Sequence, residues 1–302
     1  MKIALLLCGQ YRTLLDKRTL DAQNKFIKKF NIDVFLSTWT DPGISVWDMF
    51  QKNANIYDDI EINSKVVCKL NNLIEFEINN FEDYINKIEI VSIKRKLRNF
   101  IDQTRNNSIN EYGKDRFITG YPQFYTIHKA NEMKRKHENS NNFKYDIVIK
   151  SRPDFLFFQD ITEFINKSYQ NNDLVYTLNP IEHYWPNRIY DIMFFSSSRN
   201  IDKLAETYLD YLNLTKQSIV EKIKIMYGNR LGRKIDNSMK LGFISLENKK
   251  RLTNTLRALE SNDPCRLLYQ KSKIEKIKLS EIQENIGEVV RIENIDELLS
   301  RK

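Results

Sequence analysis

The most constraining feature of this chain is the stretch Tyr145-Asp-Ile-Val-Ile-Lys-Ser-Arg-Pro-Asp-Phe-Leu-Phe-Phe158. Ile147, Val148 and Ile149 form an uncharged β-branched run, which suits the centre of a sheet covered on both faces. Lys150, Ser151, Arg152 and Asp154 then arrive together, with Pro153 between the last two. Proline lacks an N–H donor and holds the residue before it extended, so the strand ends here or lies at an edge. Polar residues at the carboxyl end of a central strand mark the place where open α/β sheets bind ligands. A purely structural reading of the same residues is an ion pair between Arg152 and Asp154. Four polar groups crowded at one strand end favour a binding role.

Other segments supply partners for such a strand. Residues 3–8 form an uncharged run that reads as a buried parallel strand, and Gly9-Gln-Tyr-Arg12 follows as a loop. Apolar residues at 15, 20, 26, 27 and 30 give residues 14–30 a helical face, with Asn31 as the stop. Residues 32–37 are a second strand, ending in Thr38 and Trp39. Strand, helix and strand within about 40 residues make a βαβ unit and predict a Rossmann-like, mostly parallel sheet. Residues 74–78 alternate as a strand would, residues 85–101 read as a basic helix, and residues 121–138 read as a helix with Pro122 in its first turn. Further strands are expected at 174–178 and 189–196, with helices at 200–214 and 217–227. Beyond Leu231 the periodicity weakens, leaving a short strand at 242–246, a helix at 247–260 and a charged tail. The expected organisation is therefore an α/β domain over residues 1–230 with an α-rich extension, 231–302, packed on it.

Composition excludes several classes. The 302 residues are 41% hydrophobic, with 17 Phe and 15 Tyr but only 8 Gly and 6 Pro, which argues for a real core rather than a linker-rich or disordered chain. The net charge of +8 suits an anionic ligand, though Lys-rich composition throughout dilutes that signal. Cys8, Cys68 and Cys265 are far apart and lack metal-ligand spacing, so a reducing, cytoplasmic setting is expected. The apolar start is too short for a signal peptide, and no segment is long and apolar enough to span a membrane. Dinucleotide, P-loop, zincin and α/β-hydrolase motifs are all missing. Of the three histidines, His128 and His137 fall on a basic helix and fit packed or solvated roles.

Taken in order, Cys8-Gly-Gln-Tyr-Arg12, Asp33-Val-Phe-Leu-Ser-Thr-Trp39, Gln123-Phe-Tyr-Thr-Ile-His-Lys-Ala130 and Tyr145-Asp-Ile-Val-Ile-Lys-Ser-Arg-Pro-Asp154 resemble GT-A-type glycosyltransferases of bacterial and viral surface-polysaccharide biosynthesis. The resemblance covers roughly residues 1–208 and leaves the C-terminal third unmatched. It implies an enzyme that moves a sugar from a UDP- or GDP-sugar donor to a hydroxyl of a glycan or lipid-linked glycan acceptor, at the inner face of a membrane or in the cytoplasm. Many such enzymes hold Mn²⁺ or Mg²⁺ with a D-x-D at the end of the central strand. Here that place reads Arg152-Pro153-Asp154. A guanidinium fork can bind two phosphate oxygens, so Arg152, helped by Lys150 or Arg12, can take over the metal's charge. Asp154 is then expected to hold sugar hydroxyls, or to ligate one weakly held metal.

The remaining expectations are finer. Gly9 permits close backbone approach to a nucleotide, or simply a tight turn; Gln10 and Ser151 belong to the same donor side. Thr38 ends a neighbouring strand, and Trp39 stacks on a base or sugar, or else packs in the core. His183, Tyr184 and Trp185 suit an acceptor platform, or an aromatic loop lying on the sheet. Asp191 is the candidate general base. Two rivals stand beside the enzyme: a non-catalytic glycan-assembly subunit, and a nucleic-acid-binding protein using the basic helices near 94–105 and 129–137. Those helices lack interleaved aromatic residues for base stacking, so no nucleic-acid partner is expected.

Overall fold

A computed structural model of the chain describes residues 1–40, 62, 64–89, 94, 98, 120–157, 159–178, 189–210, 264–282 and 286–289. The order opens with β1 (Ile3–Cys8), a 3₁₀ turn (Arg12–Leu15), α1 (Lys17–Phe30), β2 (Asp33–Trp39), α2 (Ser64–Val67), β3 (Leu73–Asn79) and α3 (Phe81–Lys87). It continues with α4 (Gly120–Ser140), β4 (Ile147–Ser151), β5 (Phe155–Phe157), α5 (Thr162–Gln170), β6 (Leu174–Leu178), β7 (Met193–Ser196) and α6 (Ser198–Ala205). It closes with α7 (Pro264–Ile274), β8 (Lys278–Ile282) and β9 (Gly287–Val289).

Local chemistry sets these boundaries. The Asp16 carboxylate accepts from the Arg18 N–H at 2.9 Å and starts α1. Asn31 ends it in the left-handed region, φ 49°, with its N–H returned to Ile27 and Lys28. Asn80 caps α3 in the same way as Asp16, accepting from the Asp83 N–H at 3.1 Å.

Seven strands form one sheet in the order β3-β2-β1-β4-β7-β6-β8. β3, β2, β1 and β4 run parallel, β7 is antiparallel to both its neighbours, and β8 is parallel to β6. The fold is thus α/β with a mostly parallel mixed sheet flanked by helices. Alternation along the strands divides two cores. Ala4, Leu6, Cys8, Val148 and Phe194 face α3, α4, α6 and α7, whereas Ile3, Leu5, Leu7, Ile147 and Ile149 face α1 and α5. From β1 the chain steps outward to β2 and β3, while β4 takes the opposite flank of β1. That reversal of strand order is the kind of switch point, beyond the carboxyl ends of β1 and β4, at which open α/β sheets bind ligands.

The strand expected over 189–196 pairs only from Met193, because the Ile189 and Tyr190 N–H groups leave the sheet for the Cys265 carbonyl and the Thr177 hydroxyl, at 3.0 and 2.8 Å. Of the segment expected as an α-rich extension, the described residues 264–282 and 286–289 hold one helix and two strands, with β8 on the edge of the main sheet and β9 paired to β5. Lys278 and Glu281 hide the strand signal of β8, in keeping with charged residues on exposed sheet edges. The helices expected at 217–227 and 247–260 and the strand at 242–246 lie outside the described residues. Among the described residues no helix is long and apolar enough to cross a membrane.

Candidate functional site

The carboxyl end of β4 turns back on itself. The Phe155 N–H donates to the Arg152 carbonyl at 3.2 Å across Pro153 and Asp154, and proline's fixed φ suits the second position of such a turn. Gln23 of α1 holds the turn from below, its Nε2 donating to the Phe155 carbonyl at 2.6 Å. The turn folds the Asp154 carboxylate against the Arg152 guanidinium: Nε donates to Oδ1 at 2.8 Å and Nη2 to Oδ2 at 2.6 Å.

A second guanidinium arrives from β1. Gly9 ends that strand at φ +116°, a conformation in which a side chain is strained even though nothing lies within 4 Å of where its Cβ would stand. Arg12 follows with φ 38°, itself unusual for a non-glycine residue. Its Nη1 reaches Asp154 Oδ2 at 3.3 Å, while Gln10 Oε1 accepts from its Nε and Nη2 at 3.2 and 2.9 Å. Asp154 is fully buried, so burial pushes its carboxyl up; the Arg152 and Arg12 charges more than reverse this and hold it below the usual carboxylate range. Two guanidiniums on one carboxylate leave one net positive charge within the triad. The Arg152 side chain is 22% exposed, and its Nη1 has no hydrogen-bond partner among the described residues.

Asp191 stands at the same sheet edge because β7 runs antiparallel to β4, which brings the start of β7 beside the end of β4. Gln123, in the first turns of α4, donates to Asp191 Oδ2 at 2.5 Å, and the Cys265 thiol of α7 donates to Oδ1 at 3.2 Å. Lys150 lies beneath, fully buried, its ammonium donating to the Asp191 backbone carbonyl. Burial pushes Lys150 down while Asp191 opposes the shift; burial likewise pushes the neighbouring Cys8 thiol up to about 12, so Cys8 is a protonated packing residue.

The structure therefore gathers Gly9, Gln10, Arg12, Arg152, Asp154 and Asp191 at one edge, and gives others different surroundings. Lys150 was expected to assist Arg152 at a phosphate; strand parity instead turns it into the α4 face as a support for the Asp191 backbone. Ser151 points to the opposite face, where it is buried and donates to the Arg152 carbonyl at 3.2 Å. Trp39 is 2% exposed and surrounded by Phe81, Tyr84 and Tyr125 rings at 4.9, 5.2 and 5.6 Å, the packed outcome rather than the stacking one. Thr38 is buried, and its hydroxyl has no hydrogen-bond partner among the described residues. His183, Tyr184 and Trp185 lie outside the described residues.

The sequence alone assigns no role to Gln123 or Cys265. Gln123 opens the stretch Gln123-Phe-Tyr-Thr-Ile-His-Lys-Ala130, whereas nothing local distinguishes Cys265.

Asp154 was also expected to hold sugar hydroxyls or a divalent metal. Both its oxygens already accept from guanidiniums, and a cation there would have to sit among positive charges. These residues do not fit a metal ligand in this arrangement. Among the described residues no group of three or more His, Cys, Asp or Glu side chains is arranged to hold one.

No protein-family model matches the chain, and neither does any curated protein.

Proposed function

We propose that the chain is a GT-A-type glycosyltransferase acting on a UDP- or GDP-sugar. The observation that carries this reading is the pair of guanidiniums gathered on Asp154 at the switch point of the sheet. A cation near 4 Å from a phosphate gains about 4 kcal/mol at an effective dielectric of 20. Arg152 and Arg12, with one net positive charge left after Asp154, then offset part of the diphosphate charge in the ground state and stabilise the charge that develops on the leaving group. Asp154 acts as the positioning carboxylate that aims both guanidiniums. Asp191 takes the proton from the hydroxyl of a glycan or lipid-linked glycan acceptor as that oxygen bonds to the anomeric carbon of the donor sugar; the bond from that carbon to the diphosphate oxygen breaks, and the nucleoside diphosphate leaves with its charge held by the guanidiniums. No metal is needed for these steps.

A thermal-shift panel tests the donor side. UDP or GDP is expected to raise the melting temperature, by mass action on the folded state, and duplex DNA or RNA is not. The opposite pattern moves a nucleic-acid-binding role to first place.

The acceptor side has its own test. Asp191→Asn is expected to lower transfer from nucleotide sugars to glycan acceptors by roughly 10²–10⁴-fold, the usual worth of a general base. Its nucleotide-induced thermal shift should match that of the wild type. Transfer at a near wild-type rate contradicts the assignment of Asp191.

A further inference from the structure

Cys265 touches the Asp191 loop twice. Its carbonyl accepts the Ile189 N–H at 3.0 Å, and its thiol donates to Asp191 Oδ1 at 3.2 Å. The two contacts lie at the start of α7, in the part of the chain that the glycosyltransferase resemblance leaves unmatched. From the other side Gln123 takes Oδ2 at 2.5 Å. One donor on each oxygen, from helices remote from each other in sequence, fixes the plane of the carboxylate. A carboxylate has about four lone-pair sites, so further acceptor capacity remains after these two bonds. The Asp191 backbone is pinned as well, by Lys150 on its carbonyl and by the Arg152 N–H on the Ile192 carbonyl at 3.0 Å.

We propose that Cys265 is a positioning residue for Asp191, so that the C-terminal segment completes the site and modification of this thiol shuts off transfer without touching the guanidinium pair. The proposal rests on the reading of Asp191 as the acceptor-side base. The thiol is a weak donor, but a charged acceptor strengthens its bond. Alkylation replaces the S–H with S–C, which removes the donor and adds bulk against the carboxylate. In the opposite direction, the Asp191 charge disfavours the thiolate of Cys265, the reactive form. Lys150, within electrostatic reach of the same thiol, acts with the opposite sign and is unchanged by substitution at Asp191.

The test follows alkylation by iodoacetamide at each cysteine, resolved by peptide mass mapping. Cys265, itself buried, should react roughly fivefold or more faster in Asp191→Asn than in wild type, since the charged acceptor 3.2 Å from its thiol is gone. Buried Cys8 and exposed Cys68 serve as internal controls and should keep their rates. An unchanged rate at Cys265, or acceleration at Cys8 as well, overturns the proposal. In the functional arm, Cys265→Ala should lower turnover about tenfold or more, as for a slightly misplaced catalytic group, with the UDP or GDP thermal shift unchanged. Cys265→Ser should restore most of it, because the hydroxyl donates to the same oxygen. Equal loss in both variants overturns the positioning role. The alkylation arm needs no turnover. Accelerated alkylation without any nucleotide shift sinks the transferase reading and leaves the clamp standing; a nucleotide shift with unchanged alkylation does the reverse.

Discussion

Arg152→Ala is expected to lower affinity for UDP or GDP by about tenfold or more, since each 1.4 kcal/mol is a factor of ten. A charge-assisted hydrogen bond contributes about 1.5–3 kcal/mol, and Arg152, whose side chain is 22% exposed, has one guanidinium nitrogen without a hydrogen-bond partner among the described residues. Nε and Nη2 are committed to Asp154, so Nη1 is the group a phosphate oxygen meets first. Arg152→Lys should recover only part of the affinity, because an ammonium cannot hold the carboxylate and a phosphate in one plane. The substitution also leaves the buried Asp154 with Arg12 alone at 3.3 Å, so some folding stability goes with it. Isothermal titration and thermal melting of the same variant separate the two effects. A lowered melting temperature with unchanged nucleotide affinity would make Arg152 a structural counter-ion and nothing more.

The largest effect on stability is expected far from this site. Lys134 of α4 is fully buried; its ammonium donates to the Ser198 hydroxyl and to Asp202 Oδ1 at 2.9 Å, and lies 3.5 Å from Glu138 Oε2. Glu138, equally buried, accepts from Ser198 Oγ at 2.7 Å, the Tyr145 N–H at 3.0 Å and the exposed Lys144 at 2.8 Å. The network ties α4 to α6 and to the segment entering β4. Lys134→Ala leaves a buried carboxylate with Lys144 as its remaining cation, which should cost about 3–5 kcal/mol. That is a large share of the ~5–15 kcal/mol total typical of a domain. Chemical denaturation should show the loss as a lower midpoint; a change below about 1 kcal/mol would place the network among weak surface pairs.

The same network sets an acid sensitivity. Burial pushes the Glu138 carboxyl up, and Lys144, Ser198, Lys134 and the Tyr145 N–H together bring it below its ordinary value. A depressed folded-state value means that the stabilisation is present above the unfolded value of about 4.3 and is lost as pH falls through the folded one. Asp154 behaves with the same sign. Lys134→Ala should therefore move the acid-unfolding midpoint upward.

Much of this architecture is legible in the chain itself. Ile147-Val-Ile followed by polar residues and Pro153 announces a central strand and its ligand-bearing end, because β-branched runs and proline act locally. Gly9 is placed at that edge by reading strands in order, whereas Asp191 reaches it only because β7 runs antiparallel to β4. Long-range geometry is what escapes. Arg12 and Asp154 meet although 142 residues separate them, and no local pattern records that pairing. The reversal of β7 carries no signature in Met193-Phe-Phe-Ser196, since an apolar run buried on both faces looks alike in either direction. Lys150 reads as a phosphate ligand by type, but alternation along β4 turns it inward beneath Asp191. Cys265 is an ordinary cysteine in sequence and becomes informative only when α7 docks beside Ile189.

The central claim is that a guanidinium pair, rather than a divalent cation, meets the diphosphate. Its most direct test is a calorimetric titration of UDP and GDP into the wild-type protein, first in EDTA and then with Mn²⁺ or Mg²⁺ added. Binding of at least one nucleotide in EDTA, little changed by the metal and weakened about tenfold or more in Arg152→Ala, is the predicted result. Binding that is absent in EDTA, restored by metal and indifferent to Arg152→Ala would contradict it.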